Sequence, residues 1–258
     1  MSILAKNLHF KELNERIKAA GTYVHIEDCY GQRFIGSALS GKTLSINGTP
    51  GNALGCYLDG AVIEVHGNAQ DATGDTMNDG KIIIHGNAGD ALGYAMRGGS
   101  IFVKGNAGYR TGIHMKEYCS KEQNIDKKPV IVIGGKAGSF LGEYLAGGLI
   151  IVLGIGIDDE SQQAAAQQSA APISNFTGTG MHGGKIFIRT KKTLAELPPL
   201  PAQVTAEIAT KDDLKEIEPF VKEFAANFKT DAASLLKDQF YVLKPNAKNP
   251  YKQLYTAN

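Results

Sequence analysis

Glycine recurs with a fixed period of 19 residues through the middle of this chain. Two sets of glycines, offset by seven residues, share the period: Gly48, Gly67, Gly86 and Gly105, and then Gly55, Gly74, Gly93 and Gly112. A period of this length is typical of a solenoid, because each repeat forms one turn that buries its apolar residues only against neighbouring turns. The repeat therefore constrains the architecture more strongly than any other feature of the sequence.

Each repeat predicts one strand followed by a corner. The positions four and two residues before the first glycine, or before its counterpart Thr190 in the last copy, are aliphatic in all seven copies: Leu44/Ile46, Ile63/Val65, Ile82/Ile84, Ile101/Val103, Ile131/Ile133, Ile150/Val152 and Ile186/Ile188. Alternation and β-branched side chains favour a strand with one buried face. The Gly-Asn-Ala segments that follow tolerate positive φ and so predict corners.

A second apolar column lies three residues after the second glycine of the repeat, and its side chains are expected to point inward: Leu58, Met77, Met96, Met115, Leu145 and Met181. A β-propeller needs about 40 residues per blade, and leucine-rich repeats carry a Leu/Asn consensus that this chain lacks. The pattern predicts an all-β solenoid, namely a right-handed parallel β-helix of about seven turns.

The outward column of the strands is partly apolar. It begins with Ser45 and Glu64 and continues with five apolar residues: Ile83, Phe102, Val132, Ile151 and Phe187. Stacked in neighbouring turns, these five would form a stripe larger than a soluble monomer usually exposes. Either the chain's own C-terminal segment or a partner subunit must cover this candidate outer interface.

Three parts of the chain are distinguished by their patterns. Residues 1–40 form an N-terminal helix and cap, residues 41–192 the parallel β-helix, and residues 193–258 a linker, a helix and a C-terminal arm. The first helix is expected at 9–20, followed by a strand and turn at 22–36 that lead into the first coil. A Pro-containing linker spans 194–210, and the second helix is expected at 211–229, with an apolar face that fits the outer stripe.

Two insertions interrupt the period. The interval from Gly105 to Gly135 is 30 residues, which predicts a loop around Lys116–Pro129. The last turn contains a longer insertion that includes an Ala/Gln-rich tract at 161–171, either a loop or a short helix.

Composition excludes several classes of partner. A net charge of +1 on 258 residues, without a basic block, argues against nucleic-acid binding. The sequence has neither an apolar run long enough to span a membrane nor a signal peptide's apolar region. Three cysteines without a CxxC pair suit the reducing cytoplasm and make a metal site unexpected. We therefore expect a cytoplasmic protein that binds neither nucleic acid nor membrane.

One group of polar residues lies at the corners around the first insertion: Arg110, His114, Lys116, Glu117, Glu143, Tyr144 and His182. His114 is expected to stack beside Tyr144 of the following turn. Histidine, carboxylate and arginine side chains together are able to transfer protons or bind an anion. An inter-subunit polar contact and a purely structural corner are the other interpretations.

His66 and His85 share one outward column, which raises the possibility of a two-histidine metal site. The neighbouring turns supply Asn47 and Lys104 to this column, so it contains no third ligand. A solvated ladder on the surface is the simpler interpretation, and no metal or cofactor site is predicted.

Three segments carry a resemblance to a known family: Gly-Asp-Thr-Met-Asn-Asp-Gly-Lys-Ile (74–82), Gly-Asn-Ala-Gly-Asp-Ala-Leu-Gly-Tyr-Ala-Met-Arg-Gly-Gly (86–99) and Gly-Thr-Gly-Met-His-Gly-Gly (178–184). They resemble the GXGXG domain family. That family includes the C-terminal domain (domain 3) of the glutamate synthase large subunit, free-standing versions of this domain, and the C subunit of formylmethanofuran dehydrogenase. Residues 108–118, residues 142–148 and the NPYKQLYT segment near the end are most similar to the free-standing glutamate synthase type.

The resemblance implies an accessory subunit. In this family the glutamine-hydrolysing site and the FMN/iron–sulphur site belong to other domains or subunits. The chain has Ser2, not the nucleophilic cysteine of such amidotransferases, and three scattered cysteines cannot bind a four-cysteine cluster. The implied function is a non-catalytic scaffold of a split glutamate synthase-like complex that converts glutamine and 2-oxoglutarate to glutamate. An amidotransferase and an FMN-dependent synthase are the implied partners, with FMN and the iron–sulphur cluster in the latter and no cofactor in this chain.

Two other functions stay open. The first is the C-type subunit of a formylmethanofuran dehydrogenase-like complex. The second is a stand-alone enzyme with a site near His114, Glu143 and His182. The flat sides of a solenoid also make a homo-oligomer plausible for the isolated chain.

Overall fold

Parallel strands, one from each turn, stack along the solenoid in a computed structural model that describes residues 1–120, 125–157 and 171–246. Eight strands form this stack: β2 (Tyr23–Tyr30), β3 (Thr43–Thr49), β4 (Asp59–His66), β5 (Asp79–Ile84), β6 (Ser100–Val103), β9 (Val130–Ile133), β10 (Ala146–Val152) and β11 (Gly183–Arg189). The predicted all-β parallel solenoid is confirmed.

The solenoid has about eight turns instead of about seven, because β2 is itself a coil. Val24 pairs with Leu44 and Ile26 with Ile46, in the same register as the later strands. Only the second glycine set extends to this turn, at Gly36, which lies 19 residues before Gly55 and has φ +70°. In the first set, Cys29 occupies the position opposite Gly48, after an irregularity in the register.

The solenoid core is formed by the columns that the sequence predicts. All fourteen aliphatic residues of the strand pairs are fully buried, and so are the six residues of the Leu/Met column. Each apolar side chain therefore lies above its counterpart from the preceding turn. This stacking removes from water the apolar surface that a single turn cannot bury alone.

Close packing explains why the corners keep glycine and asparagine. Gly74 has φ +72°, and a Cβ at this position would lie 2.5 Å from Cδ1 of Ile101, two repeats further along the chain. Asparagine side chains bind the backbone of the following turn. The backbone N–H of Asn87 donates to Oδ1 of Asn68 (2.8 Å), and the backbone N–H of Asn106 donates to Oδ1 of Asn87 (2.7 Å). The Gly-Asn pair thus satisfies the exposed backbone of each corner.

The N-terminal end of the solenoid is covered as predicted by helix α1 (Phe10–Ala19), which buries Leu13 and Ile17 in the core. Strand β1 (Ser2–Leu4) adds in parallel to β2. Paired strands and a packed helix leave less unpaired backbone at this end of the sheet.

The C-terminal end is closed by two antiparallel strands that the sequence analysis missed. Strand β13 (Phe240–Pro245) pairs with β11, and β12 (Val204–Ile208) pairs with β13. Part of the predicted linker is therefore a strand, preceded by a 3₁₀ turn at Leu194–Glu196. Part of the predicted arm is also a strand, while residues 247–258 lie outside the described residues.

The first insertion forms an antiparallel pair of short strands, β7 (Tyr118–Ser120) and β8 (Ile125–Lys127). The tip of this predicted loop, at 121–124, is not described. The Ala/Gln-rich tract at 161–171 likewise lies outside the described residues, except for Ala171.

The outer apolar stripe is covered by the chain itself. Helix α2 (Lys211–Phe228) lies over it, and the short helix α3 (Ala232–Lys237) follows. The five stripe residues are buried in one cluster with residues of α2, α3 and β13: Ile83, Phe102, Val132, Ile151 and Phe187, with Ile217, Val221, Phe224, Phe228, Leu235, Phe240 and Val242. The stripe is therefore a second core, and its assignment as a candidate subunit interface is corrected. Among the described residues, no helix is long and apolar enough to cross a bilayer.

Candidate functional site

His114 and Tyr144 stack at one corner of the solenoid, as the sequence analysis predicts. Both residues have left-handed backbones, with φ +55° and +52°. Their rings are nearly parallel, with centroids 5.1 Å apart, and Tyr94 contacts His114 edge-on at 6.0 Å. The left-handed conformation at each corner turns these side chains outward, where consecutive turns place them in one column.

A second column of outward side chains lies two residues before the second glycine of the repeat. It contains Arg110, Phe140 and Phe176, and all three have positive φ. The Arg110 guanidinium lies 5.1 Å from the centroid of the Phe140 ring, and the rings of Phe140 and Phe176 stack at 4.8 Å. Phe176 is 55% exposed, an unusual position for a large aromatic side chain.

Glu143 connects the two columns. Arg110 Nε donates to Oε2 of Glu143 over 3.0 Å. The backbone N–H of His114 donates to the Glu143 carbonyl oxygen, also over 3.0 Å. Because the Glu143 carboxylate is paired with Arg110 and Glu143 contacts His114 through backbone atoms, the arrangement suits a rigid surface better than proton transfer. We call Tyr94, Arg110, His114, Phe140, Tyr144 and Phe176 the aromatic corner surface.

Lys116 and Glu117 lie beside this surface. They line a shallow cavity of about 370 Å³ together with His114, Arg97 and Tyr118. Glu117 Oε1 accepts a hydrogen bond from the Gly148 N–H over 3.1 Å, so this carboxylate holds a backbone corner in place.

His182 is not brought to the stacked pair by any described contact. Its Nδ1 lies 3.2 Å from the carbonyl oxygen of Gly180, two residues before it in the chain. The structure thus gathers Arg110, His114, Glu143 and Tyr144 into one surface, with Lys116 and Glu117 at its side.

Sequence reasoning missed the phenylalanines and Tyr94. The signal that identifies Phe140 and Phe176 is the repeat itself, since they occupy the same position relative to Gly142 and Gly178 as Arg110 does relative to Gly112. The insertions hide this equivalence unless each turn is aligned on its second glycine.

Two of the three cysteines are buried free thiols. Burial raises the pKa of Cys29 to about 11, and burial also raises the pKa of Cys56. Both thiols are therefore protonated at neutral pH and are weak nucleophiles. Cys29 lies at the wall of a cavity of about 710 Å³ at the N-terminal end, lined mainly by polar residues such as Lys6, Asp28 and Asn47.

One group of metal-ligating side chains exists among the described residues. Ligand atoms of Glu64, His66 and His85 all lie within 4.8 Å of one another. The histidine column itself supplies only two of these ligands, and the carboxylate of Glu64 comes from the neighbouring outward column.

The family is established by the sequence as a whole, since residues 8–248 match the family described as GXGXG motif. The chain belongs to the GXGXG family. An uncharacterised protein of Methanocaldococcus jannaschii, MJ1350, is 42% identical over 267 residues, with 98% of this chain and 95% of that protein covered. The similarity between this GXGXG protein and MJ1350 thus extends over the segments outside the repeat as well as the repeat itself.

A crystal structure shares the fold of the GXGXG chain. It is the formyltransferase/hydrolase complex FhcABCD of Methylorubrum extorquens with methylofuran, in which one chain gives a TM-score of 0.61 at 20% identity. The matched region covers 86% of this chain and 72% of that chain. At this identity the likeness establishes a common fold and nothing about the reaction.

Proposed function

We propose that this GXGXG protein is a non-catalytic scaffold subunit of an oxidoreductase complex of the glutamate synthase type. It would hold an amidotransferase subunit against a synthase subunit that contains FMN and an iron–sulphur cluster. Ammonia released from glutamine by the first would then reach 2-oxoglutarate at the second. The chain itself would contribute binding surfaces and no cofactor.

The observation that carries this proposal is the aromatic corner surface. Arginine and aromatic residues are enriched at protein interfaces and at the few positions that dominate their binding energy. Here they are stacked on a rigid corner, with Arg110 fixed between Phe140 and Glu143. Pre-ordered side chains lose little entropy on binding, which favours a docking surface.

The chemistry of the described thiols supports a non-catalytic role. Glutamine hydrolysis of the amidotransferase type needs an activated thiolate, and Cys29 and Cys56 are both kept protonated by burial. Membership of the GXGXG family and the presence of the fold in one chain of the FhcABCD complex are consistent with a subunit role.

The experiment that tests the proposal is recovery of the affinity-tagged chain from its native host at low salt, with the co-eluting proteins identified. Stoichiometric recovery of an amidotransferase and a flavin/iron–sulphur protein is the expected result. Molybdenum- or tungsten-pterin subunits would instead place the protein in a formylmethanofuran dehydrogenase-like complex.

Variants connect the complex to the surface. The double variant Phe140→Ala/Phe176→Ala is expected to lose at least one partner, because it removes the stacked rings. Tyr30→Ala is the matched control, since Tyr30 is 89% exposed and lies in β2, outside the aromatic corner surface. Glutamine hydrolysis or glutamate formation by the isolated chain, lost in His114→Ala, would contradict the scaffold role and favour a stand-alone enzyme.

A further inference from the structure

The outward face of the first turns is polar where helix α2 no longer covers it. The stripe beneath α2 begins at Ile83 in β5, and the outward residues before it are Glu64, Ser45 and His25. The next outward column runs through Glu27, Asn47, His66 and His85. The end of α2 at Phe228 therefore borders a patch rich in histidine and glutamate.

Three of these side chains converge between β4 and β5. Nε2 of His85 lies 2.9 Å from Oε1 of Glu64, and the rings of His66 and His85 are stacked with centroids 5.0 Å apart. The ligand atoms of all three residues lie within 4.8 Å of one another. Two nitrogen or oxygen ligands on one tetrahedral zinc ion are about 3.4 Å apart, given bond lengths of about 2.1 Å. Small side-chain rotations would therefore bring the three into coordination.

Contacts from outside the group hold both imidazoles in place. Ser45 Oγ lies 3.1 Å from Nε2 of His66. Phe228 packs edge-on against the His85 ring, with centroids 5.2 Å apart. Glu64 and His85 are each less than 40% exposed, whereas His66 is exposed, so the group lies at the surface where β4 and β5 end side by side.

We propose that Glu64, His66 and His85 bind a divalent transition metal ion of the zinc class, which the scaffold function does not require. Imidazole ligands favour zinc, cobalt, nickel or copper over calcium and magnesium, which prefer oxygen ligands. Three protein ligands leave at least one position for water or a ligand from a partner. The ion links β4 to β5 at the point where α2 ends.

The test uses untagged, full-length protein that has been treated with a chelator and dialysed. Cobalt(II) is titrated while its visible absorption is followed, and zinc(II) is then added. The expected result is saturation at one cobalt per chain, followed by displacement by zinc. His66→Gln and His85→Gln are each expected to weaken binding by more than about 100-fold, since even changes to outer-shell partners cost roughly 10–100-fold.

His25→Gln is the matched control. His25 and Glu27 form a similar pair, with Nε2 and Oε1 2.5 Å apart, but belong to no three-ligand group among the described residues. This variant is expected to bind cobalt as the wild type does.

Circular dichroism without metal confirms that each variant is folded. If a histidine variant unfolds, Glu64→Gln decides, because it keeps the shape of the side chain and removes its charge. The proposal is overturned if the wild type shows no saturable binding, or if Glu64→Gln binds cobalt as tightly as the wild type.

Discussion

Replacement of Phe224 by alanine is expected to loosen helix α2 from the solenoid. Phe224 is fully buried in the second core, and its ring contacts Phe228 at a centroid distance of 4.8 Å. It also lies over Gly134 so closely that a Cβ there would be 2.8 Å from Phe224 Cζ. Because Gly134 has no side chain, it cannot fill the cavity that removal of the ring would leave. We expect a loss of about 3–5 kcal/mol in the free energy that holds the helix in place.

Apolar burial outweighs the ion pairs that also attach α2. Lys81 pairs with Glu223, Lys128 with Glu216, and Lys185 with Glu216 at 2.7 Å. Their side chains are about one quarter to two fifths exposed, and pairs of this kind contribute at most about 1 kcal/mol each. Removal of one of these three partly exposed ion pairs is therefore expected to matter much less than removal of Phe224.

The assay is hydrogen exchange of the α2 amides, combined with urea unfolding, because a solenoid does not always unfold as one unit. Phe224→Ala should speed exchange in α2 while exchange in β4 and β5 stays slow. Phe220→Ala is the matched control, since Phe220 is only partly buried on the same helix, and its loss should cost about 1–2 kcal/mol. Equal effects of the two substitutions would refute the assignment of Phe224 as the anchor.

Three further predictions concern the corners and the end of α2. Gly74→Ala should destabilise the protein by about 2 kcal/mol or more in urea unfolding, because this position combines a positive φ with a 2.5 Å approach of the new Cβ to Ile101. Gly31→Ala is the control: Gly31 has φ +77° and no atom within 4 Å of its Cβ, so this variant should lose only the free energy of placing alanine at a positive φ. Asn87→Ala should cost about 0.5–1.5 kcal/mol in the same assay, since it removes the acceptor for the next turn; no change would contradict a role for the asparagine ladder. Desolvation acts to raise the pKa of Asp213, but hydrogen bonds from Thr210 and Lys185 outweigh it and hold that pKa below its ordinary value. The unfolded state therefore binds more protons, and the contribution of Asp213 to stability, which is complete above about pH 5, should decline as the pH falls further. The stability difference between the wild type and Asp213→Asn should therefore narrow in acid, and a difference that stays constant with pH would contradict this.

The stacking of like residues was predictable because the period alone defines it. Once the 19-residue repeat is recognised, Ile101 must lie over Ile82. His114 lies beside Tyr144 once the turns on either side of the first insertion are aligned on Gly112 and Gly142. Helix α2 was predictable from its own apolar spacing. The first turn was harder to recognise, because it carries Gly36 of the second glycine set but has Cys29 at the position of the first set.

Contacts between columns were decided only by the tertiary structure. The sequence places Glu64 and His85 21 residues apart and in different columns, and only the twist and spacing of β4 and β5 bring Nε2 and Oε1 to 2.9 Å. In the same way, the sequence shows an apolar stripe without saying what covers it. Helix α2 reaches the stripe because of the path that the chain takes after β11. Residues 190–210 lead into β12, which pairs with β13 at the end of the sheet. A repeat determines neighbours within a column because the backbone period is fixed. Contacts between columns depend on where the side chains point and on how the rest of the chain folds back onto the solenoid.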